Sequence, residues 1–92
     1  MYAQLIESRT TPERVDDLAR TICREVFVSL REQPGFCGGL SLVDRDAARA
    51  VVVLLWETDE QAARPLDPRA ASILLRDAAA AAPSVLEVDA RA

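Results

Sequence analysis

Pro34-Gly-Phe-Cys-Gly-Gly-Leu-Ser-Leu-Val-Asp-Arg-Asp-Ala-Ala-Arg-Ala-Val-Val-Val-Leu-Leu-Trp56 is the stretch that decides how the rest of the chain must fold. It reads as a glycine-bearing loop, a strand over about Gly39–Asp44, a turn at Asp44–Ala47 and an apolar strand over about Arg49–Glu57. Side chains alternate faces along a strand, so Ala50, Val52, Leu54 and Trp56 share one side and Val51, Val53 and Leu55 the other. Both sides are apolar. A strand of this kind needs cover on both faces of its sheet. The helical segments elsewhere in the chain suffice for one face, which predicts a second subunit on the other.

Working outward, residues 2–9 alternate imperfectly and suit a first strand. Thr10-Thr11-Pro12-Glu13 then signals a helix start, either as a capping box from Thr10 to Glu13 or with Thr11 as cap and Pro12 in the first turn. Val15, Leu18, Ile22, Val26 and Leu30 recur at helical spacing and form one stripe, which Ala19, Cys23 and Phe27 widen. Pro34 and Gly35 end that helix. Beyond the apolar strand, Thr58 is a cap followed by acids in the first turn. Pro65 and Pro68 break the second helical region into a short helix near 59–64 and a helix over about 69–81. Pro83 stops it, and Val85, Leu86 and Val88 supply a last strand. The order β-α-β-β-α-β predicts an α+β, ferredoxin-like fold. Its four-stranded antiparallel sheet carries both helices on one face, with the first and third strands central.

The 92 residues are expected to form a single domain, 1–92, and a hydrophobic content of 50% excludes a disordered chain. No apolar run reaches the roughly 20 residues a bilayer crossing needs, and Met1 leads directly into the first strand, so a cytoplasmic location is expected. The formal charge is −4. All 11 basic residues are Arg, scattered among acids without a basic stripe, so nucleic acid is not an expected partner. Abundant Ala and Arg with no Lys match the composition of a GC-rich bacterium. Cys23 and Cys37, with no His anywhere, do not make a zinc site. Both are expected reduced, Cys23 buried on the helix face and Cys37 in a loop. Asp16-Asp17 is a solvated pair, and the three glycines match no phosphate-cradling pattern.

Across nearly its whole length the chain resembles the antibiotic biosynthesis monooxygenase family of the dimeric α+β barrel superfamily. The resemblance rests on Thr11-Pro12-Glu13, on Pro34-Gly35-Phe36, on the turn at Asp44–Ala47 and on Leu55-Trp56-Glu57-Thr58-Asp59-Glu60. It implies a homodimer joined through the sheet faces, with Val51, Val53 and Leu55 the expected contact set. It further implies a planar aromatic or phenolic ligand and oxygenation without metal, flavin or other cofactor. Quinone-forming members surround their substrate with Asn, Trp, Tyr and Arg. Trp56 matches the Trp and Arg76 falls where the Arg is expected, so these two are the candidate catalytic residues. Val52 stands in place of the Asn, and Gln61 and Ala62 occupy the region of the Tyr. Haem-degrading relatives ligate iron through His, which this chain lacks. Tyr2 and Glu7 are candidates for the polar end of the same cavity. Two classes of function follow: a cofactor-independent monooxygenase, or a non-catalytic ligand-binding or accessory dimer that has lost the catalytic set. The missing Asn and Tyr favour the second.

Overall fold

The computed structural model describes residues 1–74 and 84–90. Its strands are β1 (Tyr2–Arg9), β2 (Phe36–Asp44), β3 (Arg49–Trp56) and β4 (Ser84–Glu87). Its helices are α1 (Val15–Thr21) and α2 (Phe27–Leu30), joined by a π-helical turn at Ile22–Val26, then α3 (Asp59–Ala63) and α4 (Pro68–Leu74). The strands form one antiparallel sheet in the order β2-β3-β1-β4. The expected ferredoxin-like arrangement is therefore present, with β1 and β3 central.

Strand parity separates the two faces. Gln4, Ile6 and Ser8 of β1 and Ala50, Val52, Leu54 and Trp56 of β3 are buried beneath the helices. Val15, Ile22, Val26 and Leu30 bring the helical stripe down on them, with Leu18 and Phe27 packed at its margin. Ile22 and Val26, at the two ends of the π turn, are both buried, so the stripe runs through it as one seam. Cys23 lies just off that seam and is exposed, contrary to the expected burial. One position on from the buried Ile22 turns a side chain by about 100° on a helix, past the edge of the contact.

The opposite face of the sheet is also apolar. Its β2 and β4 members Leu40, Leu42 and Leu86 are 57%, 52% and 56% exposed, and Leu5, Val51, Val53 and Leu55 between them are half-buried. The register places Leu40 beside Val53 and Leu5, and Leu42 beside Val51. An ionic group closes one end of this plateau. Glu7 Oε1 lies 3.4 Å from Arg9 Nε and 3.6 Å from Arg49 Nη1, while Arg49 Nε lies 3.8 Å from Asp44 Oδ2.

Three local features depart from the sequence expectation. Helix α1 begins at Val15 with no side-chain cap, because residues 12–14 form a turn in which Arg14 N donates to Thr11 O at 2.9 Å. The capping box expected from Thr10 does not form. Strand β2 begins at Phe36 rather than Gly39, so Cys37 lies in a strand and not in a loop. It is the extra residue of a β-bulge between Phe36 and Gly38, opposite Trp56 and Leu55. Strict alternation counted back from Gly39 through Cys37 would aim Phe36 at the outer face; because the bulge takes Cys37 out of the pairing, Phe36 stands opposite Trp56 on the helix side.

Candidate functional site

The site is built at the end of the sheet where β3 runs out. Phe36, Trp56 and Tyr2 stand side by side across β2, β3 and β1. The Phe36 and Trp56 rings meet edge to face, their centroids 5.4 Å apart. Trp56 is only 4% exposed, and its indole N–H donates to Gln4 Oε1 at 3.2 Å. Gln4 is itself 3% exposed and lies between Leu54 of β3 and Val85 of β4.

From Gln4 a cleft of about 310 Å³ opens between the β1–β4 edge and the α3–α4 connection. Among the described residues, Ala62, Ala63, Pro65, Leu66, Ala71 and Val85 form its apolar walls, and Gln4 and Arg64 its polar lining. The two prolines that break the helical region make this space. Helix α3 stops at Ala63, Arg64 is extended at ψ 143°, and the chain travels past the sheet edge before α4 begins.

Both flanks of the connection are pinned. Thr58 and Gln61 form the capping box of α3, each side chain bonded to the other's backbone N–H at 3.2 Å. The Gln61 carboxamide also lies across Gly35, whose φ is +81° and where any Cβ would collide with it. Asp67 caps α4: Oδ1 accepts from Ala70 N at 2.7 Å, and Oδ2 accepts from Ser29 Oγ at 2.7 Å and Gln33 Nε2 at 3.3 Å. The Ala70 amide, then the Ser29 hydroxyl, holds the Asp67 carboxyl below the usual carboxylate range, against the opposing effect of burial.

Of the residues singled out in the sequence, Trp56 and Tyr2 come together here on the helix side. Trp56 reaches the cleft through Gln4, not by lining it. Arg76 lies outside the described residues. Glu7 does not join this site: it pairs with Val51 on the outer sheet face, where parity places it with Arg9 and Arg49. Gln4 and Arg64 were not anticipated. A Gln inside a strand reads as solvent-facing. Its even-numbered partnership with Ile6 on a strand paired to β3 was the available signal.

A second groove, about 400 Å³, lies outside α1 and is lined by Asp16, Ala19, Arg20, Cys23, Arg24 and Arg45. Asp17 engages Arg20, and Asp16 engages Arg45 at 3.0 Å, so two of its three guanidinium groups are already neutralised.

No protein-family model and no curated protein sequence matches the chain. Solved structures do. An antibiotic biosynthesis monooxygenase superposes with a TM-score of 0.63 at 19% identity, covering 100% of both chains. The ActVA-Orf6 monooxygenase of Streptomyces coelicolor, solved in complex with nanaomycin D, gives 0.63 at 21% identity, over 99% of this chain and 88% of that one. SnoaB, a cofactor-independent oxygenase from Streptomyces nogalater, gives 0.62 at 19% identity, over 98% and 92%. The chain has the fold of the antibiotic biosynthesis monooxygenases from end to end.

Proposed function

We propose that the protein is an antibiotic-biosynthesis-monooxygenase-like homodimer that takes a small planar aromatic or phenolic metabolite into the cleft beside Gln4, with Trp56 acting on that cleft through its hydrogen bond to Gln4. The observation that carries this reading is the cleft itself: among the described residues, an apolar slot with one amide and one guanidinium in its lining. Such a slot suits a hydrocarbon ring system bearing oxygen. The same class of ligand is suggested by the fold, since one neighbour was solved with nanaomycin D.

The proposed activity is oxygenation without a cofactor. For an anthrone the balance closes on substrate and dioxygen alone: the methylene carbon loses two hydrogens and gains one oxygen atom, and the second oxygen atom leaves as water. The electrons that reduce dioxygen come from the substrate. A cation near the ring oxygen stabilises the enolate that must precede attack. Arg64 is placed for this in the cleft, and Arg76 is the second candidate.

A second reading, an accessory dimer that binds the metabolite without turning it over, is supported by the chemistry of the lining. Among the described residues that line the cleft, none carries a carboxylate, imidazole, thiol or phenol to take a proton. Oxygen uptake with a panel of anthrones and naphthols separates the two. An oxygenase consumes one dioxygen per quinone formed, and Arg64→Ala or Arg76→Ala lowers kcat about 100-fold where that cation meets developing charge. A binding protein perturbs Trp56 emission with the same compounds and consumes no oxygen.

A further inference from the structure

We propose that Gln4 selects the ligand, by donating a hydrogen bond from Nε2 to a carbonyl or hydroxyl oxygen on the aromatic compound. This rests on the reading of the cleft as a ligand site. It adds which atom of the protein reads which atom of the ligand.

The orientation of the carboxamide is fixed chemically. An indole N–H donates and cannot accept, so the Gln4 atom that faces Trp56 Nε1 at 3.2 Å must be the oxygen. The NH₂ group is thereby turned away from Trp56. Gln4 is 97% buried as a residue, yet it lines the cleft, and Nε2 has no partner among the described residues. Nε2 is not sealed in the core: the small exposed part of Gln4 opens to the cleft, where this donor is free to meet an acceptor.

An oxygen on an otherwise apolar body fits this donor and its walls. Ala62, Leu66, Ala71 and Val85 line the cleft with Gln4 and suit ring carbons, and Arg64 is the other polar group described in its lining. An aromatic ketone, quinone or phenol meets both demands. A bare hydrocarbon fills the walls and leaves the amide unsatisfied. Trp56 acts here as a positioning residue, holding the carboxamide in the one orientation that presents donors.

The test uses 1-tetralone and tetralin, which share a ring skeleton and differ in the carbonyl. Both are titrated into the ¹⁵N-labelled full chain, and the Gln4 side-chain amide, the single indole N–H and the Ala62 and Ala71 backbone amides are followed. The expected result is that both compounds move the Ala62 and Ala71 signals while only the ketone moves the Gln4 amide strongly. Replacing Gln4→Met should raise the Kd for tetralone by about tenfold and leave that for tetralin unchanged or lower. Should Gln4→Met fail to fold, the wild-type amide shift decides alone. If tetralone occupies the cleft with an unmoved Gln4 amide and no loss of affinity in the variant, the selection role is overturned while the cleft stands as a ligand site. If neither compound moves the cleft signals, both are overturned.

Discussion

Ser41 and Trp56 show how individual side chains are matched to their surroundings, one poorly and one well. Ser41 points to the helix side of β2 opposite Val52, and its buried Oγ has no hydrogen-bond partner. Ser41→Ala is therefore expected to raise unfolding stability by about 1 kcal/mol, measured by urea denaturation. Trp56, in contrast, has its one donor satisfied by Gln4. Trp56→Phe keeps an aromatic plug against Phe36 but strands Gln4 Oε1 in the core. It is expected to cost about 1–3 kcal/mol and to erase any preference for ketone over hydrocarbon, because the carboxamide is then free to turn over. Trp56 could be picked from the sequence as the end of a two-faced strand. Its partner could not, since the bond joins residues on different strands and only the register of β1 against β3 brings them together.

At the scale of elements, the cap of α4 is the joint that keeps the cleft open. Asp67 binds the start of its own helix and, through Ser29 and Gln33, the end of the first helical segment. Asp67→Ala is expected to destabilise the fold by about 1–2 kcal/mol at pH 7. The folded-state carboxyl has a lowered pKa, so the stabilisation is present above the unfolded value of about 3.9 and disappears as pH falls through the lower folded value. Urea curves at pH 7 and pH 3 should show the gap between wild type and variant narrowing in acid. The breaks at Pro65 and Pro68 were legible as sequence punctuation, and the stripe from Val15 to Leu30 as periodicity. The π turn at Ile22–Val26 and the bulge at Cys37 were not. Each interrupts a repeating pattern with no residue type that marks it in the sequence. Next to the bulge, Gly39 leaves room for the Phe27 ring, from which a Cβ at that position would lie 2.9 Å.

At the scale of the whole molecule, the outer face of the sheet is a broad apolar surface among the described residues. Leu40, Leu42 and Leu86 are more than half exposed, beside Leu5, Val51, Val53 and Leu55. Side chains of this size gain about 1.5–3 kcal/mol each when fully buried, a large share of what a small domain has in total. A second copy laid on this face would supply that burial. Light scattering at micromolar concentration is expected to give about twice the 10.0 kDa chain mass. A monomer would refute the dimer. Val53→Asp should dissociate or unfold the protein, because it brings an unpaired carboxylate into the middle of the plateau. The two-faced character of β3 is visible in its composition, and the expectation of a partner subunit rests on it.

The strand order also sets a sequence of events in time. Strands β2 and β3 are joined by a short turn, so their hairpin closes locally and early, whereas β1 must find β3 across the span from Tyr2 to Trp56. Strand β4 is a four-residue edge whose residues are all exposed, paired within the sheet with β1 alone. Yet Val85 on that strand is one wall of the cleft. The pocket is thus completed by the most weakly held part of the sheet. Backbone amides of β4 should exchange with deuterium far faster than those of β3, and a cleft ligand should slow β4 selectively. Entry and release would then be governed by the fraying of one edge strand, a clock set by folding itself.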